Sequence, residues 1–227
     1  MLTAIIKTTT ALLIASHFIP TMLVSSISFL ISLLQFSPSQ SLQIALAIFA
    51  GQLVVGWSND LLDYPLDLAA SRTHKPLVAN QITPNFLRKS IYIALFAALG
   101  LSLLSPLGLI GTLIHFLGIF SATLYNLKLK STIFSPLPYI FSFAALPWAI
   151  YLAAGKTPPL WLYLAFALFA TAFHFLNVLK DLSWDLSQNV LGLPQRIGRN
   201  KSIFIAISCT MAGLITLIIY APSLLEA

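Results

Sequence analysis

Five of the six acidic residues in this 227-residue chain fall into two short clusters, Asp60, Asp63 and Asp67 in one and Asp181 and Asp185 in the other. The first reads Asn59-Asp60-Leu-Leu-Asp63-Tyr-Pro-Leu-Asp67, which puts three carboxylates at i, i+3 and i+7, one face of a helix if the helix runs on through them. Pro65 is placed to kink or end that helix, so Asp67 is the least fixed of the three. The second reads Asn177-Val-Leu-Lys180-Asp181-Leu-Ser-Trp-Asp185 and sets Asn177, Asp181 and Asp185 at i, i+4 and i+8, again one stripe. Carboxylates packed this closely repel one another unless a cation neutralises them. Carboxylate and amide oxygens with no cysteine in reach suit magnesium or calcium, and magnesium takes one or two protein carboxylates and completes its shell with water and phosphate oxygens. Two such clusters facing each other would hold a diphosphate between their ions.

The basic residues extend that reading. Arg72 and Lys75 follow the first cluster, Lys180 lies inside the second, and Arg196, Arg199 and Lys201 come after it, all able to give charge-assisted hydrogen bonds to phosphate oxygens. Metal together with lysine and arginine makes diphosphate a better leaving group, because charge developing on the departing oxygens is stabilised in place. Departure from an allylic carbon leaves a carbocation, which aromatic faces attract. Trp57, Tyr64, Tyr125, Phe173, Phe175 and Trp184 are the candidates, with plain core or lipid-facing packing as the competing reading. His17 and His115 read as structural and His74 as a solvated loop residue. His174, three residues before Asn177, reads equally as an acid/base group or a packing histidine.

These groups must be positioned by elements that live in a bilayer. Hydrophobic residues make up 58% of the chain and charged residues 8%, against about 25% charged in a soluble domain. A spanning helix needs roughly 20 mostly apolar residues, and seven stretches qualify, near 10–35, 41–58, 89–105, 107–127, 132–154, 159–179 and 202–222. Open sheet edges are untenable in hydrocarbon and no barrel-type alternation is present, so the expected fold is an all-α, polytopic integral membrane bundle forming a single domain over 1–227. The first stretch outruns a signal-peptide core and shows no clear cleavage site, so it is expected to persist as a helix. Cys209 is the lone cysteine, which excludes an intramolecular disulfide, a cysteine zinc cluster and an iron–sulfur site. The net charge of +6 is better explained by residues flanking membrane spans than by nucleic acid, for which no binding is expected.

With the N-terminus in the cytoplasm, 11 of the 12 basic residues fall on the cytoplasmic side and only Lys156 on the other. The positive-inside rule therefore predicts a cytoplasmic N-terminus, an external C-terminus, and cytoplasmic chemistry in the long polar segments Asp60–Arg88 and Asp181–Lys201.

The two acidic motifs resemble those of the UbiA-type intramembrane prenyltransferases, N-D-x-x-D-x-x-x-D after the second helix and D-x-x-x-D after the sixth. Ser71-Arg-Thr-His-Lys-Pro-Leu-Val-Ala-Asn-Gln-Ile-Thr83 is similar to that family's basic, proline-containing stretch before the third helix. Gly192-Leu-Pro-Gln-Arg-Ile-Gly198 is similar to the stretch after the second acidic motif, and Tyr125-Asn-Leu-Lys128-Leu-Lys130 to a tyrosine and lysine loop near the donor diphosphate. The resemblance spans about residues 10 to 222. It implies Mg²⁺-dependent transfer of a prenyl group from a polyprenyl diphosphate to a hydrophobic, often aromatic, acceptor within membrane lipid. It further implies that Asn59, Asp60, Asp63, Asp181 and Asp185 hold the metal and that Asp67 completes the first site or positions the acceptor. Arg72, Lys75, Tyr125, Lys128, Lys130, Asn177 and Lys180 would contact the phosphates or substrate, with a topology signal as the competing reading for Lys128 and Lys130. The sequence departs from the pattern in two places. Members usually have nine helices where seven are counted here, which raises the expectation of a homo-oligomer whose second copy completes the wall, and Ser16-His17-Phe-Ile-Pro20 stands where many members carry an arginine and proline.

The competing functions are a divalent-cation or proton-coupled transporter, because intramembrane carboxylates also mark ion pathways, and an inactive family member. Acids at helix ends beside basic loops suit phosphate better than a travelling cation, whose site is expected near the bilayer midplane on broken helices.

Overall fold

The computed structural model describes residues 2–224, and side chains over 5–222. Every described regular element is helical, as expected for a chain whose backbone must satisfy its own polar groups. In order they are α1 (Leu2–Ala15), α2 (Phe18–Ser32), α3 (Pro38–Ala69), α4 (Pro84–Leu104), α5 (Gly108–Leu127), α6 (Pro136–Ala153), α7 (Leu160–Ser187), α8 (Leu193–Ile197) and α9 (Arg199–Tyr220). Six of them, α3 to α7 and α9, are long and apolar enough to cross a membrane, and α1 with α2 makes a seventh if that bent pair is one span. The C-terminal tail, to which an external position was assigned above, lies outside the described residues.

The first apolar stretch corrects the sequence expectation. It is two helices, bent by 69° at Ser16–His17, where His17 takes a left-handed backbone conformation with φ 52°. The long polar segments are also shorter than expected. The α3 helix runs through Pro65 to Ala69, and α7 continues to Ser187, because a helix leaving the apolar zone keeps its internal hydrogen bonds whatever the polarity of its side chains. At 32 and 28 residues, both exceed the roughly 20 needed to span the hydrocarbon, and their last turns carry the acidic motifs.

The chain forms two compact units, residues 1–119 and 120–227, with the boundary inside α5. In the first unit α3 is the central element, with α2, α4 and α1 packed on it. Its start is fixed by a capping box in which Ser37 Oγ accepts from Gln40 N–H and Gln40 Oε1 accepts from Ser37 N–H, with Pro38 in the first turn. Ala11, Ala15, Val54, Trp57, Leu77, Ile82, Leu87, Ala94 and Ile119 form its core. In the second unit α7 is central, flanked by α6, α8 and α9.

Candidate functional site

In each unit the acidic motif occupies the C-terminal turns of the central helix. The last carbonyls of a helix carry negative partial charge, so such an end favours cations for the same reason as the carboxylates do.

On α3, Asp60 and Asp67 are buried, each about 3% exposed, while Asn59 and Asp63 are half-buried. A carboxylate withdrawn this far from water needs partners, and Asp60 has two from distant parts of the sequence. Lys75 Nζ donates to its Oδ1 at 2.6 Å, and His17 Nε2 lies 3.2 Å from the same oxygen. Asp67 Oδ1 accepts from Arg72 Nη1 at 3.1 Å. Pro65 does not divert the helix, so Asp60, Asp63 and Asp67 keep the one-face spacing expected from the sequence.

The segment 70–83 returns Lys75 to Asp60 by a series of turns. Ser71 and Asn80 adopt left-handed conformations, Arg72 N–H donates to Asp67 C=O, Lys75 N–H to Arg72 C=O and Ala79 N–H to Lys75 C=O. Pro76, Leu77 and Ile82 are buried beneath it, so the cationic side chains are carried by an anchored turn. His74 in the same segment is exposed.

His17 is brought to the motif by the break between α1 and α2. The Ser16 carbonyl accepts from the Thr21 hydroxyl at 2.8 Å and rests on α3 at Gly56, where an added Cβ would collide with it. Trp57, a candidate for cation stabilisation, is instead a core residue whose Nε1–H donates to Leu12 C=O at 2.9 Å. Tyr64 packs against the same core. His17 is the residue that sequence reasoning set aside. The available signal was Pro20, which removes an amide from the first turn of α2.

In the second unit Asn177, Asp181 and Asp185 lie on α7 at the expected i, i+4, i+8 spacing, with Asp181 exposed and Asp185 half-buried. Gln195, from the short α8, donates its side-chain amide to Asp185 Oδ2 at 2.8 Å. This contact was not foreseen, although Gln195 lies in the stretch matched to the family. Lys180 is exposed on α7, Lys128 is exposed, and Lys130 sits half-buried in a 3-10 turn over Leu129–Ser131. Arg196 donates to Leu191 C=O.

One turn before the motif, α7 contributes to an aromatic cluster. Tyr125 meets Tyr139 edge-on at 5.0 Å and His174 at 5.7 Å, and Phe173 lies against Tyr139 and Phe143. Asn177 Nδ2–H donates to Tyr139 Oη at 3.3 Å. His174, fully buried, meets Ser135 Oγ through Nε2 at 3.2 Å, and Ser135 Oγ accepts from Leu193 N–H at 3.0 Å. Two of the six aromatic candidates, Tyr125 and Phe175, thus meet the His174 ring, and a third, Phe173, joins the cluster through Tyr139.

Among the described residues no three His, Cys, Asp or Glu side chains converge as a ready-made metal cluster. The donor set still fits magnesium, because Asn59, Asp60 and Asp63 offer hard oxygens and such an ion needs only one or two carboxylates when water and phosphate complete its shell.

Membrane-length helices around two acid-bearing central helices define a multi-pass, all-helical membrane protein. The sequence model of the UbiA prenyltransferase family matches residues 18–226, and the chain belongs to that family. Its fold is similar to that of a UbiA homolog from Archaeoglobus fulgidus, with TM-score 0.72 and 16% identity, covering 97% of this chain and 78% of the other. A structure of that homolog bound to GPP and Mg²⁺ gives TM-score 0.71 at 16% identity and the same coverage. Digeranylgeranylglyceryl phosphate synthase gives TM-score 0.68 at 22% identity, again over 97% and 78%. Among curated proteins none matches the sequence.

Proposed function

We propose that this protein is a Mg²⁺-dependent prenyltransferase that moves a prenyl group from a polyprenyl diphosphate to a hydrophobic or aromatic acceptor, releasing diphosphate. The observation that carries the reading is Asp60, a carboxylate about 3% exposed near the end of an apolar helix, partnered by Lys75 and His17 and sharing a helix face with Asp63 and Asp67. Burying a carboxylate in this setting is costly and is expected to be retained for function. Membership of the prenyltransferase family and the GPP and Mg²⁺ bound by the Archaeoglobus fulgidus homolog support the same reading.

Asn59, Asp60 and Asp63 on α3, with Asp181 and Asp185 on α7, would hold magnesium. When bound, the metal supplies neutralisation of phosphate charge, which favours departure of the diphosphate. Arg72, Lys75, Lys128, Lys130 and Lys180 would contact phosphate oxygens, with Lys75 moving between Asp60 and phosphate. Asp67, paired with Arg72, would hold that guanidinium toward the donor. Gln195 would orient Asp185. Tyr125, Tyr139 and Phe173 would offer aromatic faces to the developing allylic cation, Asn177 would orient Tyr139, and the apolar helices would accommodate the isoprenoid tail. The N-terminus and both motifs are assigned to the cytoplasmic side by the distribution of lysine and arginine.

The test is product formation. Purified protein given geranylgeranyl diphosphate and a pool of aromatic and lipid acceptors should yield a new prenylated compound with Mg²⁺ and none in EDTA. A folded protein that forms no product with any donor would overturn the proposal.

A further inference from the structure

Three donor groups from two separate segments meet at the first motif. His17 Nε2 lies 3.2 Å from Asp60 Oδ1 and 3.4 Å from the side-chain amide of Asn59. Ligands about 2.1 Å from one octahedral ion lie about 3 Å from each other, so the imidazole nitrogen already stands near the spacing of a shell neighbour from the Asp60 oxygen and from the Asn59 amide, whose oxygen a turn of the side chain would present. The position is built. His17 sits in a left-handed conformation at the break between α1 and α2, and the Ser16 carbonyl beside it is held by Thr21 and seated over Gly56. Asp60 carries a positive group there already, the Lys75 ammonium at 2.6 Å, which stands where a cation's charge is required.

We propose that His17 is a nitrogen ligand to the divalent ion of the first motif, alongside Asp60 and Asn59. This rests on the reading that the motif holds a divalent ion, and goes beyond the all-oxygen set of Asn59, Asp60 and Asp63 derived above. Its consequence is metal preference. Imidazole raises affinity for manganese, cobalt and zinc relative to magnesium, which favours oxygen donors. A chain with His17 should therefore select Mn²⁺ over Mg²⁺ more strongly than one with an oxygen donor at that position.

The experiment is pulsed electron paramagnetic resonance of Mn²⁺ bound to the full chain in detergent with inorganic diphosphate, using protein containing ordinary or ¹⁵N-labelled histidine. The expected result is an imidazole nitrogen coupling that changes with the label, is lost in His17→Asn and persists in His74→Asn. Asparagine tolerates a left-handed backbone and supplies oxygen, so His17→Asn should still bind Mn²⁺ while its Mn²⁺-to-Mg²⁺ preference falls by about tenfold or more, the scale on which metal affinity responds to changes around a ligand. Bound Mn²⁺ without nitrogen coupling in the wild-type protein would overturn the inference and leave the oxygen-ligand reading standing, and this arm needs no variant to fold. A coupling unchanged in His17→Asn would also overturn it. Absence of any bound Mn²⁺ would overturn the divalent-ion reading, and the inference with it.

Discussion

Lys75 Nζ and Asp60 Oδ1 lie 2.6 Å apart, joining the turn after α3 to the helix's buried acid. The contact closes the segment 70–83 onto the motif and neutralises Asp60. Lys75→Met should leave Asp60 with His17 alone and destabilise the protein by about 3 kcal/mol, the low end for a broken buried pair. The check is unfolding in mixed micelles by denaturing detergent. Adding Asp60→Asn to Lys75→Met should recover most of the stability, as expected for two groups in direct contact, but no turnover. Additive losses would contradict the pairing.

Gly56 on α3 lies directly against the break in the first span, and a Cβ there would meet the Ser16 carbonyl oxygen and carbon and lie 3.0 Å from its Cα. The obstacle is backbone, so it cannot be relieved by rotating a side chain. Gly56→Ala should cost about 1–3 kcal/mol and lower turnover together with it, because the displaced segment carries His17. Thermal unfolding and product formation measured on one preparation check this; full stability with full activity would contradict it.

Much of this was legible because acids are so scarce. Five aspartates in two clusters marked the ends of α3 and α7, and their spacings predicted the shared faces that the helices adopt. Apolar runs located the spans, but α3 and α7 continue to Ala69 and Ser187, past the ends near 58 and 179 that the apolar signal marks, and that signal is also blind to direction. The stretch near 10–35 remains apolar across the 69° bend at Ser16–His17, so hydropathy reads one helix where there are two. For the same reason His17 reads as structural in the sequence, where nothing places it beside Asp60. Trp57 shows the converse. Its ring looked suited to a cation, and its indole N–H instead serves the Leu12 carbonyl, a partner that only the packing of α1 on α3 supplies. Gln195 reaches Asp185 through the short α8, whose five residues carry too little periodicity to be seen.

Ser135, just before α6, is tied to the start of α8, its hydroxyl accepting from Leu193 N–H while meeting His174 Nε2. Ser135→Ala leaves both without that partner, His174 in a fully buried setting, and should destabilise by about 1–3 kcal/mol. Thermal unfolding of the variant tests it, and an unchanged midpoint would show that the contact contributes nothing.

The distribution of lysine and arginine predicts an orientation that labelling tests. In a Cys209→Ser background, a cysteine replacing Ser71 should react with an impermeant thiol reagent only from the cytoplasmic side, and one replacing Lys156 only from the opposite side. The reverse pattern would invert the topology.

Both acidic motifs must act if the proposed function holds, and diphosphate release tests this most directly. Wild-type, Asp60→Ala and Asp181→Ala proteins, each checked for folding, would be given geranylgeranyl diphosphate and the acceptor pool with and without Mg²⁺. The account predicts Mg²⁺-dependent release by the wild-type protein and a loss of at least about 10²–10³-fold in each variant, the scale for removing one charge-stabilising group. Mg²⁺-dependent release that survives in either folded variant would contradict it.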